Sequence, residues 1–278
     1  MRLAREERFV RYDSRNRGNF IFEETRNLFK YRELIMQLVR RDLVSRYKRS
    51  FLGVAWTMLN PLGTMLILTL VFSHLFKSVS SYPVFILSGL IGWNFFSQAT
   101  TAALSQNVWG GSLLHKVYMP RTVFTVSAIG TGVVNLLLSL VPLLIIMLFL
   151  GQPFHISILF LPVSILLLTI FTLGIGLLVS TLALYFPDVV DMYHIGLTAW
   201  MYLTPIIYPA EIIPEAYRRW ILVFNPMYYL VEMIRQPIYD GHIPSVNMLT
   251  ISIGVSFIAL IIGWLVFNWK ANEFTYRT

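Results

Sequence analysis

TVFTVSAIGTGVVNLLLSLVPLLIIMLFLGQPFHISILFLPVSILLLTIFTLGIGLLVSTLALYFP, residues 122–187, runs for 66 positions without an Asp, Glu, Lys or Arg. A helix needs about 20 mainly apolar residues to cross the hydrocarbon core of a bilayer. This run has room for two crossings, and Gly151-Gln152-Pro153 supplies the break between them. The rest of the chain agrees. Of its 278 residues, 56% are hydrophobic and 13% charged, against about 25% charged in soluble domains. Too few charges remain to cover a water-facing surface, so the sequence reads as an all-α integral membrane protein.

Outward from this run, the other uncharged stretches hold four more spans. Six transmembrane helices are expected near 52–76, 84–104, 122–150, 157–184, 192–210 and 245–269, all within a membrane domain of residues 50–278. Residues 1–27 form a charged N-terminal tail, too charged for the apolar core of a signal peptide, so the first span is expected to serve as its own insertion signal. Orientation follows from Lys and Arg in the flanks. With residues 1–49 inside, inner segments carry 18 basic residues and outer segments 4 (Lys77, Arg218, Arg219, Arg235). Both termini are therefore expected in the cytoplasm.

The net charge of +8 comes mainly from one segment, because 14 of the 22 Lys and Arg residues lie in residues 1–49. No soluble domain follows that segment, so a nucleic-acid partner is not implied. Within it, residues 28–49 read as an amphipathic interface helix. Tyr31, Leu34, Ile35, Leu38, Val39, Leu43 and Tyr47 recur at three- and four-residue steps, while Arg32, Arg40, Arg41, Lys48 and Arg49 leave the other side basic. Such a helix lies at the membrane surface with its cations near phosphates. Asp42 and Arg46, four apart, are spaced as a helix-stabilising pair.

Two further segments are not simple spans. Residues 211–240 are too polar to cross and too apolar for a free loop. They read as a re-entrant or interfacial hairpin of two short helices on the outer side, broken at Asn225-Pro226, because Pro disfavours helix at the residue before it. Residues 105–121 form the largest inner loop. Ser112–Met119 can make two helical turns ending before Pro120, presenting Leu113, Leu114, Val117 and Tyr118 to a partner's groove.

Several chemistries are missing. None of the 16 glycines precedes a lysine, so the phosphate-cradling Gly-x-x-x-x-Gly-Lys-Ser/Thr loop is lacking and ATP chemistry must sit on another polypeptide. The spans carry no Asp, Glu, Lys or Arg for a proton relay. Their only imidazoles, His74 and His194, lie near span ends. Asp188 and Asp191 share a helix side, but two carboxylates rarely hold a catalytic Mg²⁺ without substrate phosphates. Capping of the fifth span is the expected role. With zero cysteines there is no disulfide or thiolate site. No enzyme activity, metal or resident cofactor is expected. Trp56, Trp93, Phe95, Phe96, Trp200, Tyr202 and Tyr208 fall in or beside spans, as interfacial belt residues or as ring faces for a sugar.

Arg41-Asp42-Leu43-Val44-Ser45-Arg46-Tyr47-Lys48-Arg49-Ser50-Phe51-Leu52-Gly53, then Trp56 and Leu59-Asn60-Pro61-Leu62, resembles the start of type-2 ABC exporter permeases of the bacterial polysaccharide family. Those proteins export O-antigen, capsule or teichoic acid. Lys116-Val117-Tyr118-Met119-Pro120-Arg121 is similar to their loop after the second span. Thr204-Pro205-Ile206-Ile207-Tyr208-Pro209 and Asn225-Pro226-Met227 are similar to their fifth-span end and hairpin. The matches fall in family order across about residues 35–240. One departure is Phe186-Pro187-Asp188, where the family often has Arg-Asp.

The resemblance implies a homodimer in the bacterial inner membrane, paired with two separate ABC ATP-binding subunits that hold ATP and Mg. It implies that residues 107–119 form a coupling helix, with Leu113, Leu114, Lys116, Tyr118 and Asp188 facing the ATPase. Residues 211–240 become outer gate helices around Asn225 and Pro226. The substrate is a polysaccharide on a polyprenyl diphosphate carrier, whose headgroup Arg40, Arg41, Arg46, Lys48 and Arg49 would attract, and the seven aromatics named above become candidates for the channel lining. Alternative readings are an exporter of drugs or lipids, a membrane-embedded polyprenyl-phosphate transferase, and a non-transporting anchor.

Overall fold

Backbone in lipid has no water to bond, so a chain of this composition closes its hydrogen bonds within helices. The computed structural model describes residues 28–48, 53, 55–77, 79–109 and 120–270, and among them there is no strand. The helices, in order, are α1 Arg32–Tyr47, α2 Ala55–Phe72, α3 Tyr82–Trp109, α4 Thr122–Phe149, α5 Leu161–Tyr185, α6 Val189–Leu203, α7 Glu215–Val223, α8 Pro226–Arg235 and α9 Val246–Lys270. Short 3₁₀ turns precede α5 and α7, and a π turn, Gln236–Asp240, follows α8.

Among the described residues, four segments are long and apolar enough to cross a membrane: Ala55–Phe72, Thr122–Phe149, Ile156–Tyr185 and Val246–Lys270. The 66-residue run divides where expected, with α4 ending at Phe149 and Gly151 turning the chain at a left-handed φ of +67° that favours glycine. Helix α3 is 28 residues long, but Asn94, Gln98, Gln106 and Asn107 dilute its apolar character. Helix α6 has only 15 residues. The fifth span expected over 192–210 thus begins earlier and ends at Leu203. Pro205 and Pro209 lack the N–H that would continue it, and Thr204–Pro209 runs on as non-helical chain.

Helix α3 is the centre of the bundle. It packs against α4, α5 and α8, and Val84, Ile86, Leu87 and Phe96 are all fully buried. A helix enclosed on most sides is hydrophobic on most of its faces, and the exception in α3 is the stripe that carries Asn94 and Gln98. Around its middle, Phe96 meets Trp200 at 5.3 Å between centroids, Trp93 at 5.7 Å and Phe171 at 5.6 Å. Such contacts each add about 0.5–1.5 kcal/mol beyond area burial.

The longest seam joins α5 to α9. A Cβ on Gly174 would fall inside the backbone of Ala259, and one on Gly263 inside that of Gly174. Small residues let helix backbones approach closely where lipid supplies no hydrophobic drive. By contrast, α2 is loosely held. Only Pro61 and Met65 are buried, while Leu66, Ile67, Leu70 and Val71 are exposed along its length.

Candidate functional site

Helices α1, α2, α3 and α4 enclose a groove of about 750 Å³. Helix α1 contributes Asp42 and Ser45; α2 contributes Trp56, Thr57 and Asn60; α3 contributes Asn94, Phe95, Gln98 and Gln106; and α4 contributes Thr131, Asn135 and Ser139. The polar residues come at helical steps. Asn94, Gln98 and Gln106 are separated by four and eight positions on α3, and Thr131, Asn135 and Ser139 by four on α4. Residues four apart share a helix face, so each helix turns one polar stripe to the groove.

Its walls are partly knitted together. The Ser139 hydroxyl donates to the Asn135 carbonyl at 2.9 Å and to the Thr57 carbonyl of α2 at 3.4 Å. At the α1 end, Gln106 Nε2 donates to Asp42 Oδ2 at 2.8 Å. Arg41 donates from Nε and Nη2 to Asp42 Oδ1 at 3.1 and 2.9 Å. Among the described residues Asp42 is the one ionisable residue on the wall, and its carboxylate is engaged on both oxygens. Asp42 is thus held in an Arg41–Asp42–Gln106 set, while the side chain of Arg46, its expected partner, is not among those described. Arg121, just before α4, donates to the Asn107 carbonyl at 3.2 Å and tethers the last turns of α3. Burial lowers its pKa from the ordinary guanidinium value, yet Arg stays charged in proteins.

The residues singled out in the sequence do not gather in one place. Arg40, Arg41 and Lys48 are exposed on α1. Beneath them Leu38 is buried, and Val39 packs on Gly130 of α4. The Arg46 side chain and Arg49 lie outside the described residues, as do Leu113, Leu114, Lys116 and Tyr118 of the expected coupling helix. Among the aromatics, Trp56 and Phe95 line the groove. Trp93 and Phe96 are buried in the core against Trp200, and none of these three reaches the groove wall. Tyr202 is exposed, and its carbonyl accepts from the Tyr208 hydroxyl at 2.7 Å. Asp188 occupies the N-cap position of α6 but makes no side-chain capping hydrogen bond; its helical φ and ψ differ from the extended geometry that lets a cap side chain reach the N–H groups.

The second constellation is a hinge at the opposite end. The chain does break at Asn225-Pro226, and its two helices behave differently. Helix α7 is exposed, with Trp220 stacked on Phe224 at 5.7 Å. Helix α8 is buried through Met227, Leu230, Val231, Met233, Ile234 and Arg235 against α3, α5 and α9. Asn225 ties this hairpin to α6. Its Oδ1 accepts from Met227 N at 3.1 Å and from Trp200 Nε1 at 2.8 Å, and its Nδ2 donates to Thr204 Oγ1 at 2.9 Å and the Leu203 carbonyl at 3.2 Å.

Arg235, counted in the sequence among outer-loop cations, is 3% exposed. It donates from Nη1 to the Pro205 carbonyl at 2.9 Å and from Nη2 to the Ile206 carbonyl at 3.1 Å. Nη1 also reaches Glu232 Oε1 at 2.7 Å, and the guanidinium lies 4.0 Å from the Phe85 ring centroid. The carbonyls left open where α6 stops are thus met by a cation. Gly89 of α3 makes room, since a Cβ there would come within 2.6 Å of Arg235 Nη2.

Apolar helices, a polar groove and a buried hairpin are the frame of the chain, and comparison with known proteins decides what kind of membrane protein it is. A model of the ABC-2 type transporter family matches residues 33–239. The chain belongs to the ABC-2 type transporter family. It is a multi-pass membrane protein. The O-antigen export system permease protein RfbA of Myxococcus xanthus is 32% identical over 251 residues, covering 90% of this chain and 96% of that one. RfbA of Klebsiella pneumoniae is 29% identical over 239 residues, 85% and 91% of the two chains. The polysialic acid transport protein KpsM of Escherichia coli is 26% identical over 239 residues, 83% and 91%. The family match runs from α1 to the π turn after α8, and so takes in both the groove and the hinge.

The groove was missed in the sequence because the polar residues that α2, α3 and α4 turn to it are neutral. The available signal was an uncharged polar stripe at four-residue steps, such as Asn94–Gln98 or Thr131–Asn135–Ser139, inside helices otherwise apolar.

Proposed function

We propose that this chain is the permease subunit of an ATP-driven exporter that moves polyprenyl-diphosphate-linked polysaccharide from the cytoplasm across the bacterial inner membrane. The observation that carries this reading is similarity along nearly the whole of three relatives named for O-antigen export or polysialic acid transport. Two copies pair and bind two ABC subunits, which hold ATP and Mg and perform the hydrolysis. Helices α2, α3, α4, α5, α6 and α9 are the six spans, α1 is the interface helix, and both termini face the cytoplasm.

In this mechanism ATP closes the partner subunits and moves residues 107–119 and α1. A pathway opens between the two permeases along the first, second and fifth spans, α2, α3 and α6. The exposed cations of α1 draw the diphosphate to the membrane surface. At the outer end, α7 and α8 move as a gate about Asn225-Pro226.

The test is deletion of the gene in its own host. Loss of surface polysaccharide, accumulation of lipid-linked glycan in the cytoplasm and recovery with the wild-type gene are expected. Unchanged surface polysaccharide in the deletion strain, with no second permease gene responsible, overturns the reading.

A further inference from the structure

We propose that the groove between α1, α2, α3 and α4 is a binding site, within a single protomer, for the uncharged, hydroxyl-rich sugar units of the exported glycan, with Asn60, Asn94 and Gln98 as its hydrogen-bonding residues. This rests on the export function proposed above and adds where, and through which chemistry, the chain holds its cargo.

Three observations meet here. First, the amides are unspent. Among the described residues, the side chains of Asn60, Asn94 and Gln98 make no hydrogen bond, although Gln106 and Ser139 on the same walls do. Each amide offers two N–H donors and one carbonyl acceptor. Asn60 and Gln98 are exposed and Asn94 is half-buried, so all three amides are open to the groove and free to bond a polar occupant there.

Second, the described lining is nearly neutral. Among the described residues its single ionisable side chain, Asp42, is already held by Arg41 and Gln106, and none of those lining residues is a cation that could take a phosphate. A group with many hydroxyls, each both donor and acceptor, matches amides without needing charge. Trp56, exposed, stands among the amides and offers apolar ring surface to the C–H side of a pyranose, with the buried Phe95 behind them.

Third, the size fits a short saccharide. Asn94 and Gln106 are twelve residues apart on α3, or about 18 Å at 1.5 Å per residue. The volume of about 750 Å³ lies within the range of about 300–1,000 Å³ typical of small-molecule sites, and far exceeds what one ion or water fills.

The sequence has no cysteine, so Ser45→Cys at the groove mouth can carry a single environment-sensitive dye. The labelled full chain, assembled with its ATP-binding partner in nanodiscs, is titrated with three probes: lipid-linked glycan extracted from the host, the same carrier stripped of sugar, and bilayer lipid alone. A saturable response to the glycan-bearing carrier only is expected. The triple variant N60L/N94L/Q98L is expected to weaken it by about tenfold or more, because three neutral hydrogen bonds are lost. Ala102→Trp, which fills the groove and leaves all three amides, is expected to abolish binding while the complex still assembles. An equal response to the stripped carrier or to bilayer lipid assigns the groove to a lipid headgroup and overturns the proposal. So does no response, or unchanged affinity in the triple variant. Cells separate the two ideas: if the wild type exports nothing, the export reading fails, whereas normal export by wild type and triple variant alike removes only the groove assignment.

Discussion

Replacing Arg235 tests whether the broken end of α6 is held by one buried cation. In the wild type its guanidinium meets the Pro205 and Ile206 carbonyls at 2.9 and 3.1 Å and Glu232 at 2.7 Å. Arg235→Ala strands two buried carbonyls and leaves Glu232, itself largely enclosed, without a counter-charge. Removing one partner of a buried pair costs about 3–5 kcal/mol, and the stranded carbonyls place this case toward the upper end. Arg235→Lys keeps the charge but replaces a planar fork with a point donor, so one carbonyl goes unmet at about 1–3 kcal/mol. For a chain of this size, about 2–4 °C of melting temperature corresponds to each kcal/mol. Thermal unfolding of the purified protein in detergent, followed by tryptophan fluorescence, should fall by about 6–20 °C for Ala and by roughly half that or less for Lys. An Ala variant that melts within about 2 °C of wild type, or a Lys variant worse than Ala, refutes the argument.

Four other perturbations follow. Gly174→Val drives a side chain into the α9 backbone and should cost about 1–3 kcal/mol or abolish folding, read as loss of the monodisperse peak in size-exclusion chromatography. Asn225→Ala removes a helix cap and the acceptor of the Trp200 indole; a loss of about 2–4 kcal/mol is expected from cap and orphaned donor together, with a shift in Trp200 emission. Leu114→Asp with Tyr118→Asp should stop the ATP-binding subunit from copurifying while the permease remains in the membrane. Burial lifts the Asp240 carboxyl above its ordinary value, with His242 and Arg235 opposing. The folded chain then holds that proton more tightly than the unfolded one, so the contribution of Asp240 favours the fold at low pH and is lost as pH rises through the raised pKa. Asp240→Asn should therefore melt above wild type at pH 7, with the difference closing as the buffer is acidified below the carboxylate range.

Much of the architecture is legible where chain chemistry is local. Gly151-Gln152-Pro153 divides an apolar run because a left-handed glycine and a proline stop a helix whatever surrounds them. Asn225-Pro226 works likewise, its Asn capping the helix that Pro begins. What resists reading depends on neighbours distant in sequence. Arg235 resembles any loop cation until the carbonyls of Pro205 and Ile206, some thirty positions earlier, are brought beside it. The prolines that end α6 are local signals, but the partners that settle the irregular Thr204–Pro209 stretch are distant: Arg235 on Pro205 and Ile206, Tyr82 on Ile207 and Asn225 on Thr204. Trp93 and Phe96 look like an aromatic lining, yet central α3 buries them. Asn94 and Gln98 escape notice because hydropathy averages around a helix and a few neutral amides scarcely change the mean.

The slack attachment of α2 has a mechanical consequence. A wall that shares so little surface with its own subunit can tilt outward while the Gly174–Gly263 seam and the Phe96 cluster stay fixed, and Gly53, at a φ of +49°, is placed to act as its pivot. The cross-section of the groove is then adjusted by swinging one panel on a rigid frame.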